Sequence, residues 1–262
     1  MNIASGSTGN ATYIGTENTH ILIDCGISKK RLHDALAALG LTLKDMDAVL
    51  ISHEHIDHTA TLGVVERAAG LPVYATAGTI RAIKNMAGLG HYDTGLMNVI
   101  KADEAFTIGD IRIRPFTTWH DAAEPVCYRF ESGHRSAAIV TDLGDYGDYL
   151  TSALQGLDML MLEANHDIRM LETGPYPYPL QMRIKSQYGH LSNEASGRFL
   201  DRLLHDNIGH IMLAHISREN NTRELAQMAV EAEIAMSESI YGPKDFDIKT
   251  ARHDMPTDIM EV

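Results

Sequence analysis

Short apolar runs alternating with amphipathic stretches set the rhythm of this chain. In the first third, Ala11 to Ile14 and His20 to Asp24 read as strands, and Asp47 to Ser52 has the pattern of a buried strand. Between them, Ser28 is placed to cap a helix whose apolar positions Leu32, Leu36 and Leu39 recur three or four apart, with Gly40 to end it. A helix over Thr59 to Ala69, a strand at Val73 to Ala75 and a helix over Ala77 to Met86 follow. The middle predicts strands at Ala105 to Ile108, Ile111 to Arg114, Cys127 to Glu131 and Ser136 to Thr141, with turns at Gly109-Asp110 and Ser132-Gly133-His134. Met159 to Glu163 predicts one more strand, and Gly174 to Pro179, alternating Pro and Tyr, reads as a stiff loop. The remainder predicts a helix over Asn193 to Leu204 capped by Ser192, a strand at Ile211 to Ala214, and a helix over Thr222 to Met236 with Asn221 and Glu224 as its capping box. Strands with helices recurring between them point to an α/β layered fold. No linker divides residues 1–262, which are read as a single domain.

Composition changes this picture little. Of 262 residues, 44% are hydrophobic and 22% charged, so a globular core is expected and disorder is not. The net charge of −13 argues against a protein that wraps nucleic acid by bulk charge. It does not exclude a nuclease, because carboxylates that hold metal ions count as negative until the ions bind. No apolar stretch approaches the roughly 20 residues that span a bilayer, and Met1 to Gly6 carries no leader pattern, so no membrane partner and a cytoplasmic location are expected. Cys25 and Cys127 lie in apolar runs and read as small buried hydrophobes of a reducing compartment.

The 14 histidines carry the chemistry. In Ser52-His53-Glu54-His55-Ile56-Asp57-His58, potential ligands crowd the end of an apolar strand. His53 and His55 share a side in extended backbone, so two imidazoles can converge on one ion, while Asp57 and His58 fall beyond a tightening turn and can serve a second. Three further positions repeat the arrangement of a ligand type ending or following a strand: His120, Asp142 and His215.

Together these motifs, with the strand-end Asp24, resemble the metallo-β-lactamase-fold superfamily over nearly the whole chain. The resemblance implies an αβ/βα four-layer sandwich of two mixed β-sheets with a dinuclear site at one edge. It implies a first ion held by His53, His55 and His120, a second by Asp57, His58 and His215, with Asp142 bridging, and Asp24 supporting the ligands from behind. Two divalent ions would lower the pKa of a bridging water to near neutrality, giving hydroxide, and polarise the bond under attack, with Asp57 orienting the water. Imidazole and carboxylate donors suit Zn²⁺ or Mn²⁺, with Fe a further option.

Residues outside the core motif point to the bond. Thr59-Ala60-Thr61 stands where thioesterase-like relatives of the glyoxalase II type commonly have glycines. Leu213 to Arg218 resembles the final motif of the ribonuclease Z group, and Gly189 to Glu194 resembles that group's extra histidine, His190, which would bind phosphate or protonate the leaving oxygen. Ala4 to Asn10, Glu163 to Asp167 and Gly189 to Asn193 resemble the YycJ/WalJ-type branch, which implies a 5′-to-3′ exonuclease with DNA favoured over RNA. Ser7, in a Gly/Ser loop whose N–H groups can cradle a phosphate, and His166, Arg183 and Arg218 are candidate substrate contacts. Asp57 and His190 are the expected catalytic pair. The alternatives are a hydrolase of a small cyclic phosphodiester and a ribonuclease Z-like RNA-processing nuclease. A non-catalytic binding protein would have no need of the complete ligand set. No oligomeric state is predicted.

Overall fold

Residues 1–90 and 92–262 are described by the computed structural model. Met1–Thr117, Ala122–Val126 and Arg252–Ile259 form a first unit; Thr118–Asp121, Cys127–Ala251 and Met260–Val262 form a second.

The first unit is built on β1 (Asn2–Ala4), β2 (Ala11–Gly15), β3 (His20–Ile23), β4 (Ala48–Leu50), β5 (Val73–Thr76) and β6 (Met97–Ile100), hydrogen-bonded in that order. β1 to β3 are antiparallel and β3 to β6 parallel, so the sheet is mixed. The unit also contains an antiparallel hairpin of β7 (Phe106–Ile108) and β8 (Ile111–Thr117), whose strands are not part of this six-stranded sheet. Its helices are α1 (Lys29–Ala37), α2 (Ile56–Thr59), α3 (Leu62–Ala69) and α4 (Ala77–Asn85). Ser28 caps α1 by accepting from Arg31 N–H, and Leu32 and Leu36 turn into a core shared with Leu22, Val49, Leu62 and Ile83. The helix expected over Thr59 to Ala69 arrives as two pieces, because the chain turns at Ala60-Thr61, where Thr61 Oγ1 donates to the carbonyls of Cys25 and Ile27.

The second unit repeats the plan. β9 (Val126–Ser132) runs antiparallel to β10 (Arg135–Val140), which is parallel to β11 (Met159–Glu163), then β12 (His210–Ala214), then β13 (Ile248–Thr250). The helices are α5 (Asp148–Ala153), α6 (Ile168–Thr173), α7 (Tyr178–Ile184), α8 (Asn193–Asp201) and α9 (Arg223–Met236). Both sheets are mixed and both carry flanking helices, which is the expected fold class.

Several boundaries differ from the sequence reading. α7 starts inside the Pro-rich segment: Pro177 stands at its N-cap and Pro179 in its first turn, where a missing N–H costs no helix bond. The cap of α9 is Thr222, which accepts from Leu225 N–H, and not Asn221. Asn221 is buried, its amide donating to the carbonyls of Ala164 and Asn165 and to Asn193 Oδ1. That network claims the side chain the capping box needed. α8 stops at Asp201, short of Leu204. β1, β6, β13, α5 and α6 were not expected; they are short, and β6 is half exposed, so none has enough alternation to register.

Candidate metal centre

In the first unit, β3 and β4 run parallel and both end at the ligand cluster. Asp24 follows β3 with φ +58°, a left-handed conformation that few non-glycine residues adopt, and its N–H donates to Leu50 O. That turn sets its carboxylate beneath the loop after β4. Asp24 Oδ1 accepts from Ser52 N–H at 2.9 Å and Oδ2 faces His58 Nδ1 at 2.8 Å, while Ser52 Oγ stands 2.9 Å from Oδ2 and 3.0 Å from His53 Nδ1. A carboxylate on Nδ1 fixes that nitrogen as the N–H of His58 and turns Nε2 outward as a donor lone pair. The His53 ring lies 4.5 Å from that of His55 and 4.1 Å from that of His58, centre to centre, and Asp57 Oδ2 is 3.6 Å from His58 Nε2. The Asn10 amide reaches both His58 Nε2 (2.9 Å) and Asp57 Oδ2 (3.3 Å). Within this unit, the structure therefore brings His53, His55, Asp57 and His58 together. Ser7 is exposed at the tip of its loop, whose Gly6, Gly9 and Asn10 N–H groups already bond to Asn10 Oδ1, Gly6 O and Asp57 O.

The second unit assembles the other set. Asp142, after β10, and His215, after β12, are both left-handed, at φ +58° and +52°. Asp142 Oδ1 stands 3.5 Å from His215 Nε2, 3.8 Å from His120 Nε2 and 3.9 Å from His190 Nδ1. His120, Asp142 and His190 each offer a ligand atom within 4.8 Å of the others, as do Glu163, His190 and His215. Two donors bound to one tetrahedral ion at about 2.1 Å would lie about 3.4 Å apart. The Asp142–His215 spacing is close to that value, and the donors are imidazole and carboxylate without thiolate, so the residues fit a hard or borderline divalent ion.

Glu163, the last residue of β11, was missed as a functional residue. It is fully buried, its Oε1 lies 2.7 Å from His190 Nδ1 and 3.3 Å from His215 Nδ1, and its Oε2 accepts from Leu143 N–H. Burial pushes its carboxyl up, but the two histidines outweigh burial and hold it below the ordinary carboxylate range. Asn10, Ser52 and Asn165, whose amide reaches His215 Nδ1 and donates to His215 O, were missed as well. A polar residue packed against a known ligand has no local signature; only the strand-end position of Glu163 could have suggested it.

His166 is buried and forms a β-bridge with Ser192, and its Nδ1 has no hydrogen-bond partner among the described residues. Burial lowers its pKa to about 4. Arg183 is exposed and ion-paired with Asp121; Arg218 is exposed.

Residues 19–216 match the family model described as the beta-lactamase superfamily domain. The chain belongs to the β-lactamase superfamily. This superfamily member is 36% identical over 261 residues to the exodeoxyribonuclease YycJ of Bacillus anthracis, covering 99% of this chain and 97% of that one. It is also 36% identical over 260 residues to the exodeoxyribonuclease WalJ of Streptococcus pneumoniae, covering 99% and 96%. Among solved structures, the metallo-β-lactamase fold protein YhfI of Bacillus subtilis aligns with a TM-score of 0.68 at 16% identity, covering 97% and 96% of the two chains. The superfamily member thus has the metallo-β-lactamase fold and is a metal-dependent hydrolase. No helix among the described residues is long and apolar enough to cross a membrane.

Proposed function

We propose that this hydrolase is a dinuclear-metal nuclease that releases nucleotides from the 5′ end of DNA. The observation that carries the reading is near-full-length identity to two proteins named exodeoxyribonucleases. In this reading His53, His55 and His120 would hold one ion and Asp57, His58 and His215 the other, with Asp142 as a further ligand. The ions, Zn²⁺ or Mn²⁺, supply Lewis acidity and a water acidified toward neutral pH when bound. Asp57 orients the attacking water. His190 acts on the leaving group: with Nδ1 held at 2.7 Å by Glu163, its Nε2 is the nitrogen left to give a proton to the departing 3′ oxygen. Glu163 is a positioning residue, locking the ring through its contact with Nδ1. The work of such a proton donor is typically about 10²- to 10⁴-fold in rate. The protein is expected to reside in the cytoplasm.

The test uses protein stripped of metal and reloaded with Mn²⁺ or Zn²⁺, given a 5′-phosphorylated duplex labelled separately at each end. Mononucleotides are expected from the 5′ end, lost in Asp57→Ala and slowed in His190→Ala. Intact DNA alongside turnover of bis-p-nitrophenyl phosphate would move the assignment to a small phosphodiester. Turnover of neither would overturn the phosphodiesterase reading.

A further inference from the structure

In a chain of net charge −13, the placing of the uncommitted cations is informative. In the second unit, Arg183 is paired with Asp121 and Lys185 with Glu172, while Arg218, three residues after His215, is exposed and unpaired among the described residues. The first unit holds an adjacent couple. Lys29 and Lys30 open α1, both exposed and neither ion-paired among the described residues. Helix stability does not explain them: the first turn of a helix prefers acids, α1 has none there, and two ammonium groups at that end oppose its dipole. Asp34, one turn on from Lys30, contacts His33 instead. Arg31, third in the run, is committed, its Nη2 donating to His253 O at 2.7 Å.

The couple follows a loop that packs on the ligands. Cys25 N–H donates to His58 O and Gly26 N–H to Asn10 O, both at 2.8 Å, and a Cβ on Gly26 would collide with Asp57 O. Lys29 comes three residues after Gly26, a span of no more than about 11 Å even in extended chain. The Ser5 to Asn10 loop packs on the same stretch, since a Cβ on Gly9 would meet Gly26 O and Ile27 Cγ2. At its tip Ser7 and Thr8 are exposed, and their N–H and hydroxyl groups have no partner among the described residues. Two ammonium groups and a set of open donors thus adjoin the backbone that carries Asp57 and His58.

We propose that Lys29 and Lys30 grip the phosphate backbone of DNA and seat the strand beside Asp57 and His58. The inference rests on the nuclease reading and names the part of the polymer that this chain holds outside its ligand set. An ammonium group meets phosphate as a point charge and reads no sequence, which suits an enzyme that has to accept each base in turn. The backbone is common to duplexes and single strands, so the contact serves either form. It is compatible with an acidic chain, because exposed charges act within a Debye length of about 8 to 10 Å and the surface as a whole need not be basic.

Binding is measured by the anisotropy of a fluorescein-labelled, 5′-phosphorylated duplex, with the metal-free full-length protein kept in EDTA so that nothing is cleaved. Lys29→Gln combined with Lys30→Gln is expected to weaken affinity about 3- to 30-fold and to make the slope of log affinity against log salt shallower by about 1 to 2. Lys29→Arg with Lys30→Arg should retain both. Arg81→Gln with Lys84→Gln, a pair of exposed and unpaired cations on α4, changes the net charge equally and should alter neither. Thermal melts should show no loss of stability in the Lys29 and Lys30 glutamine pair, which loses charges that oppose the dipole, so weaker binding there is not unfolding. In metal-loaded protein that pair should raise KM more than it lowers kcat. Unchanged affinity, an unchanged salt slope, or an equal loss in the α4 pair would each overturn the contact. The nuclease reading fails separately: metal-loaded wild type that leaves end-labelled DNA intact removes that reading, whereas wild type that degrades DNA with the same KM as the Lys29 and Lys30 glutamine pair removes only the contact.

Discussion

Asp24 shows how much a single side chain does here. Its carboxylate accepts from Ser52 N–H and faces His58 Nδ1, all of them buried. Asp24→Ala leaves those donors stranded, so a loss of about 3 to 5 kcal/mol is expected in urea unfolding, together with a 10- to 100-fold weaker grip on Zn²⁺ in chelator competition. His166 makes a pH prediction. Its ring is buried neutral, with a pKa lowered from 6.5 to about 4, so in the window between those values the unfolded chain binds a proton that the native state refuses. The stability contributed is complete above pH 6.5 and is lost as pH falls toward 4, by about 3 kcal/mol. Unfolding free energies measured stepwise across that range should fall more steeply for wild type than for His166→Gln; parallel curves would refute the assignment. At this scale the sequence was legible wherever a ligand type ended an apolar strand. Glu163 was not, because its two histidine partners are 27 and 52 residues away and nothing local announces them.

At the scale of elements, the strands with strong alternation or unbroken apolar runs were legible, and so was the cap of α1. What escaped was set by tertiary demand: Asn221 is drawn from the helix cap into a buried amide network, and α7 begins where proline tolerance, not helix propensity, permits it. Gly144 links element to site. A Cβ there would sit 2.4 Å from Gln187 O and 2.5 Å from Gly189 N, inside the loop that delivers His190. Gly144→Ala is therefore expected to cost about 3 kcal/mol and to displace His190, reducing turnover as well as the urea midpoint. The control is Gly133→Ala, where nothing lies within 4 Å and only the left-handed backbone, at φ +58°, exacts its roughly 1 to 2 kcal/mol.

For the whole molecule, charge decides the manner of binding. A protein that neutralised many phosphates would lose affinity steeply with salt, with a slope near −0.7 per phosphate on a single strand. With a net charge of −13, the slope of log affinity against log salt is expected to be no steeper than about −2. Oligonucleotide anisotropy between low and moderate salt measures it, and a slope beyond about −5 would show that neutralisation of many phosphates dominates the grip. The mixed sheets and the superfamily were readable at this scale because spaced ligands at strand ends are a pattern of the fold itself. The substrate was less so, since motifs of this kind are shared among unrelated reactions.

Asp24, Asp142 and His215 each end a buried strand with a left-handed backbone that costs a non-glycine residue about 1 to 2 kcal/mol. Glycine would relieve that cost at all three positions, and asparagine would tolerate it better than most. At Asp24 the stranded donors outweigh that relief, but at Asp142 and His215 a directed-evolution campaign that rewarded heat resistance alone would drift toward those replacements, stripping the protein of groups assigned here to its chemistry. Any screen for a robust version of this hydrolase has to score turnover in the same well as survival.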